Sequence, residues 1–153
     1  NIGILDKPYN FLTQPFAAKM VILLGLLWRW TGYNMVFFLS GLQNIEYSVY
    51  EAAKIDGASA IQTFFKITVP LLKPTILLTA IMSTNGTLQL FDESINLTDG
   101  GPANASISMS HYIYNLCFKY VPNFGYAAAM SFFILLLVAV LAFMQMRVGD
   151  KRD

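Results

Sequence analysis

The chain has 153 residues, about one domain's worth, with 56% apolar residues, 12% charged residues and a formal net charge of +1, against roughly 45–50% apolar and about 25% charged in a soluble domain. That balance argues against a water-soluble protein, and a near-zero charge offers no electrostatic case for nucleic acid. Cys117 is the only cysteine and His111 the only histidine, so an internal disulfide is excluded and neither residue has a partner at metal-ligand spacing. No metal site, no cofactor and no catalytic set is expected.

The first 16 residues form a polar-aromatic stretch that starts at Asn1. They lack the ordered charged, apolar and small-residue regions of a signal peptide, and the chain is read as an internal piece of a longer protein. The first apolar segment runs from about 20 to 42 and is interrupted by Trp28-Arg29-Trp30 and Gly32. It spans a bilayer if Arg29 finds an anion, water or a route to the interface. The flanking tryptophans favour a headgroup-level anchor for this arginine.

The second segment covers about 75–91, with polar residues from Thr79 to Gln89 that are costly against lipid and are expected to face protein or water. The third covers about 126–146, centred on Phe132-Phe133-Ile134-Leu135-Leu136-Leu137-Val138. It sits inside 27 consecutive uncharged positions between Lys119 and Arg147, more than the ~20 needed to cross a bilayer core. The expected fold class is therefore all-α, an integral membrane helical bundle with about three spans in residues 1–153.

Counting short-loop cations sets the orientation. Lys54, Lys66, Lys73, Arg147, Lys151 and Arg152 lie on one side and Lys7, Lys19 and Lys119 on the other, with Arg29 left out. This places loop 43–73 and the C-terminus in the cytoplasm, and the N-terminal piece and loop 92–125 outside. The outer loop holds Asp99-Gly100-Gly101-Pro102, strong turn punctuation. A short surface helix is expected over 106–118, and His111 and Cys117 are read as incidental.

Loop 43–73 carries its own order: an amphipathic stretch over 45–60, then Phe64-Phe65, then Pro70 and Pro74. Ala53, Gly57 and Ala60 fall at i, i+4, i+7, one face of a continuous helix. Small residues there permit close approach of a partner, and Glu51 and Asp56 flank the face with negative charge. Gly57 is also suited to ending a helix, and the two prolines to interrupting helical hydrogen bonding where the chain re-enters the membrane.

Asn85, Gln89 and Asp92 recur at about helical spacing and either line a hydrophilic passage or bridge neighbouring helices. Tyr33 and Asn34 follow Gly32; a tyrosine ring there either stacks on the apolar face of a ligand or packs between helices. No Gly-x-x-x-x-Gly-Lys-[Ser/Thr] phosphate cradle occurs.

The string Glu51-Ala52-Ala53-x-x-x-Gly57, followed after nine residues by Ile67-x-Val69-Pro70, resembles the EAA loop of membrane permease subunits of binding-protein-dependent ABC importers, with Val69 where leucine is usual. The wider string from Tyr50 to Pro74, with Gly32-Tyr33-Asn34-Met35, Thr98-Asp99-Gly100-Gly101-Pro102 and Gly125-Tyr126-Ala127-Ala128-Ala129, is similar to the carbohydrate branch related to the maltose permeases. The resemblance covers about residues 20–148 and implies further spans ahead of the first one here.

It implies that Glu51, Ala52, Ala53, Asp56, Gly57 and Ala58 form a coupling helix that docks on a cytoplasmic ATPase subunit. It also implies a second permease subunit, an extracytoplasmic solute-binding protein meeting Asp99–Pro102, a sugar substrate passing Tyr33, Asn34, Asn85, Gln89 and Asp92, and residence in lipid at a bacterial inner membrane. ATP hydrolysis would belong to the partner. Two other readings stay open: a permease of a non-sugar branch, against which the Gly-Gly-Pro loop argues, and a helical membrane scaffold or channel-like protein in which loop 43–73 only caps the bundle.

Overall fold

The computed structural model describes residues 11–149, and Lys7, Lys151 and Arg152 of the orientation count lie outside them. Among the described residues the regular structure is helical throughout. A 3₁₀ turn, Phe11–Thr13, leads into α1, Pro15–Gln43, which encloses the expected first segment. Proline suits the first position of a helix, where its missing N–H is not needed. The 29 residues of α1 rise roughly 43 Å at 1.5 Å per residue, longer than a ~30 Å hydrocarbon core. The last helix, α8, Phe124–Gly149, has 26 residues and encloses the third segment. Asn123 caps it, its Oδ1 accepting from the Tyr126 N–H at 3.1 Å.

Between them lie α2, Tyr47–Ile55; α3, Ala60–Thr63; a π-helical turn, Phe64–Thr68; α4, Val69–Leu71; and α5, Lys73–Leu88. Then come α6, Asp92–Thr98; α7, Met109–Tyr114; and a second π-helical turn, Asn115–Lys119. Helices α1 and α8 are each long and apolar enough to cross a membrane, and the rod Ala60–Leu71 with α5 passes the same test as one pair bent by 64°. The second segment thus differs from a straight span over 75–91. Its helix starts at Lys73, ends at Leu88, and at roughly 24 Å is too short to cross alone. Pro70 lies within α4 and Pro74 is the second residue of α5; neither can donate a backbone hydrogen bond.

The described residues form two compact units. One comprises residues 11–29 and Gly86–Val138, the other Trp30–Asn85 and residues 139–149, so α1, α5 and α8 each contribute to both. The first unit buries Ala18, Ile22, Leu116 and Ala127 together with Glu93, Ser94, Ser106, His111 and Asn115. The second buries Ala53, Leu72, Thr68 and Thr79. Both cores are small and rich in polar groups, while Trp28, Leu24, Phe132, Leu136 and Phe143 are exposed. Water would penalise that much exposed apolar surface, whereas lipid and neighbouring helices would not.

Candidate functional site

Loop 43–73 is built by backbone chemistry that the residues dictate. Helix α2 ends in a Schellman closure: the Ala58 N–H donates to Ala53 O at 2.9 Å and the Gly57 N–H to Lys54 O at 3.1 Å. Gly57 takes φ +73°, the left-handed conformation that glycine adopts at least cost. Ser59 then opens the next rod with a capping box, its Oγ accepting from the Gln62 N–H at 3.3 Å while Gln62 Oε1 accepts from the Ser59 N–H at 2.9 Å. The Ser-x-x-Gln spacing was the available signal for this restart. Tyr50 Oη and Thr68 Oγ1 meet at 3.3 Å, tying α2 to the rod.

This closure corrects the single-face expectation. Because α2 stops at Ile55 and Ala60 begins a new helix, Ala53, Gly57 and Ala60 do not share one helical stripe. Glu51, Ala52, Asp56 and Gly57 are exposed, Ala58 is half-buried and Ala53 is buried. The surface offered outward is thus the acidic, small-residue turn around the end of α2, with Ile55 at 87% exposure and Ile61, Phe64 and Phe65 also exposed.

In the same unit, Asn34 Nδ2 donates to Ser83 Oγ at 3.1 Å, and the Ser83 hydroxyl lies 3.3 Å from Asn34 Oδ1. Tyr33 is exposed and sits edge-on to Trp30, with ring centroids 5.6 Å apart, and 5.1 Å from Phe37. Gln145 Nε2 donates to Thr84 Oγ1 at 2.8 Å. Asn85 is half-buried. Gln145 escaped the sequence reading because it stands as one amide between two methionines in an apolar run.

In the other unit, Gln89 lines a cavity of about 330 Å³ with Ser110, Ser131, Ile113, Ile134, Leu135 and Val138. Its apolar walls with a few hydroxyls and an amide suit a small polar molecule with an apolar face. Since α5 ends at Leu88 and α6 begins at Asp92, Asn85, Gln89 and Asp92 do not lie on one helix face as their spacing suggested.

Arg29 finds the anion that a spanning α1 requires: its Nε lies 3.0 Å from Glu93 Oε1 and its Nη1 3.7 Å from Asp92 Oδ2. Both acids sit in the first turn of α6, where the helix dipole also favours negative charge. Gly25, one turn before Arg29, lets α1 approach: a Cβ there would lie 3.3 Å from Leu97 Cδ1.

Loop 92–125 contains a locally closed cap. Asp99 ends α6 at φ +46°, Gly100 follows at +77°, the Gly101–Pro102 bond is cis, and Ala103 and Asn104 also have positive φ. Ser106 Oγ bonds to Gly101 O and to Thr98 Oγ1, closing the turn. Gly100 is buried while Asp99 is exposed.

His111, expected to be incidental, is the fully buried centre of this cap, beside a fully buried Ser94. The Ser94 hydroxyl donates to Ser106 O at 2.8 Å and accepts from the Ser108 N–H at 3.2 Å. Its remaining lone pair faces His111 Nδ1 at 2.9 Å, so the hydrogen-bond network assigns the proton to Nδ1. Nε2 is buried without a hydrogen-bond partner, 3.8 Å from Asp99 Oδ1.

Burial pushes the pKa of His111 below its ordinary 6.5, against the raising pull of Asp99 and with a smaller lowering push from Lys119. Lys119 Nζ donates to Asp99 Oδ1 at 2.7 Å. That hydrogen bond first, and the ammonium charge second, hold the Asp99 carboxyl below its ordinary 3.8. Ser94, His111 and Asp99 follow the order of a nucleophile, base and orienting acid, but a hydroxyl with no exposure and a committed proton is not a nucleophile. Among the described residues no three His, Cys, Asp or Glu side chains gather as a metal site.

Comparison with known proteins gives one family and a consistent set of relatives. The family described as binding-protein-dependent transport system inner membrane component matches residues 5–152. The chain is 54% identical over 153 residues to the lactose transport system permease protein of Rhizobium radiobacter, covering 99% of this chain and 51% of that protein. It is 36% identical over 150 residues to the multiple sugar-binding transport system permease protein of Streptococcus mutans, covering 98% and 51%. The trehalose/maltose transport system permease protein of Thermococcus litoralis is 36% identical over 146 residues, covering 95% and 49%. The chain thus spans about half the length of these relatives.

Proposed function

Because the chain belongs to the family of binding-protein-dependent transport system inner membrane components, we propose that it forms part of the transmembrane subunit of an ATP-driven sugar importer. The observation that carries this reading is the construction of loop 43–73: a short helix closed by Gly57, a capped restart at Ser59, and a 64° bend into α5. A surface closed in this way is suited to receiving a push and passing it to a span as a rigid body.

In this reading loop 43–73 and the C-terminus are cytoplasmic, and Glu51, Ala52, Asp56 and Gly57 meet a cleft of an ATPase subunit. Ala53 and Ala58 position that turn from within. The ATPase hydrolyses ATP, and this chain is not an enzyme. Two permease subunits enclose the pathway, and a solute-binding protein delivers sugar to the outward cap at Asp99, Gly100, Gly101 and Pro102. The sugar assignment is supported by relatives named for lactose, for multiple sugars and for trehalose or maltose.

Substrate contacts are assigned in each unit separately. Tyr33, Asn34 and Asn85 offer a ring face and amides in one; in the other Gln89 lines its own cavity. Asp92, 70% exposed and 3.7 Å from Arg29, is available to a sugar hydroxyl with its charge balanced.

The test is co-purification of the full-length permease with its ATPase, comparing wild type with Ala52→Arg and Glu51→Arg. Both positions are exposed on a regular helix, so these variants add bulk and charge without backbone strain. A variant at Gly57 would add strain of its own at φ +73°. Recovery of the ATPase is expected to fall by on the order of tenfold or more while membrane insertion is kept. An undiminished complex would reject this docking face.

A further inference from the structure

The cap formed by α6, the turn that follows it, α7 and the second π-helical turn lies within the unit of residues 11–29 and Gly86–Val138. Its centre is a titratable ring with no exposure, packed beside a fully buried Ser94. The Nδ1 proton is committed to the Ser94 hydroxyl at 2.9 Å. A second proton can therefore be taken only at Nε2, which is buried without a hydrogen-bond partner. The acceptor it faces is Asp99 Oδ1 at 3.8 Å, too far for a hydrogen bond and already held by Lys119 Nζ at 2.7 Å. Asp99 at the end of α6 and Lys119 on the π-helical turn are the charged groups that act on the ring. Glu93, the other buried acid of α6, is directed to Arg29 at 3.0 Å. The remaining neighbours are uncharged: Phe91 stands edge-on at 6.1 Å between centroids, and a Cβ at Gly100 would lie 3.4 Å from His111 Cε1.

A charge on this ring has no hydration shell, and its new N–H is satisfied only if Asp99 moves. Asp99 is also the pivot of the cap. It ends α6 and holds a left-handed φ of +46°, a conformation uncommon for a residue with a Cβ. Its carboxylate ties α6 to Lys119 across 20 positions. We propose that the cap is an acid-released switch: it is closed while His111 is neutral, and proton uptake at Nε2 draws Asp99 away from Lys119 and opens the turn at 99–102. Burial disfavours the cation and holds the ring's pKa below 6.5 despite the pull of Asp99. The closed form thus refuses a proton that the open form accepts, and falling pH favours the open form. Asp99 is held below 3.8 first by its hydrogen bond to Lys119, so it stays ionised through this range. Where the turn 99–102 meets a solute-binding protein, docking weakens in acid, and this consequence alone rests on the function proposed above.

The test uses the full-length permease, assembled with its partner subunits in nanodiscs of neutral phospholipid. Hydrogen exchange over 92–119, corrected for intrinsic rates, reads the open fraction of the cap. From pH 7.5 to 5.5 that fraction is expected to rise in wild type by up to roughly tenfold, the limit for one imidazole with an ordinary pKa in the open form. His111→Asn, whose Nδ2–H replaces the Nδ1–H toward Ser94, should show no such rise. Lys119→Met, at an exposed position, frees Asp99 for the ring and removes a repelling charge, which favours the cation in the closed form; its rise should be smaller than that of wild type. No rise in wild type, or a rise unchanged in His111→Asn, would overturn the switch. Should the asparagine variant fold poorly, equal rises in wild type and Lys119→Met would overturn it independently. Affinity for the solute-binding protein is read in the same samples. Acid should weaken it at least several-fold more in wild type than in His111→Asn, and equal weakening would reject the effect on docking. A wild type that recruits no binding protein at pH 7.5 counts against the docking assignment, while the exchange data still decide the switch.

Discussion

At the scale of single residues, the cap around His111 depends on a neutral imidazole. His111 has a pKa below 6.5 in the fold because burial disfavours the cation. As pH falls below about 6.5, the unfolded segment takes up a proton that the buried ring refuses, so cap stability declines from there toward the lower folded value. Asp99 acts in the same direction at more acid pH. Its carboxyl is held below 3.8 by Lys119, so its contribution is present above that value and lost as pH falls through the folded one. Protection factors for backbone hydrogen exchange over 92–119, corrected for the pH dependence of intrinsic exchange, should therefore be lower at pH 5.5 than at pH 7.5; equal protection would count against a ring held neutral. Ser94→Ala should cost about 2–3 kcal/mol, because it strands the His111 Nδ1–H and the Ser108 N–H in a buried site, read as a lower melting temperature of the purified permease. None of this was visible in the sequence. A histidine and a serine 17 positions apart form no motif, and only the αL turn at Asp99 and Gly100 brings α6 and α7 together.

At the scale of elements, the apolar runs and their polar interruptions were legible because lipid imposes a simple rule of length and charge. The first and third segments became α1 and α8 with ends displaced by a few residues. The breaks were less legible, since they are set by hydrogen-bond closure. Gly57 signalled a stop, but helical spacing carried the expected face straight through it, and the same habit put Asn85, Gln89 and Asp92 on one helix. Close helix approach is another feature that composition hides. A Cβ at Gly41 would lie 2.8 Å from Thr75 Oγ1 and 2.9 Å from Leu72 Cδ2, whereas one at Gly32 would meet nothing within 4 Å. Gly41→Ala should therefore destabilise by about 1–2 kcal/mol, while Gly32→Ala should be neutral or stabilise by up to about 1 kcal/mol through helix propensity. Thermal denaturation of the two variants side by side decides this, and the opposite order would refute the packing assignment.

At the scale of the whole molecule, the proposed coupling role of loop 43–73 has a specific structural candidate for transmission, the bend that joins it to α5. Pro70 and Pro74 flank the 64° bend between the rod and α5. Replacing both with alanine restores two donors and favours a straighter helix. The expected outcome is an assembled transporter that hydrolyses ATP but moves at least several-fold less sugar per ATP, measured in proteoliposomes; unchanged coupling would mean that the bend is not part of the transmission. The cap on the other segment of chain has a consequence in time rather than in force. Its defining contacts, Ser94 with His111 and Asp99 with Lys119, span only 17 and 20 positions. Short loops close quickly and at little entropic cost. During synthesis this cap can therefore assemble as soon as residue 119 has emerged, so that α8 inserts beside a structure already formed.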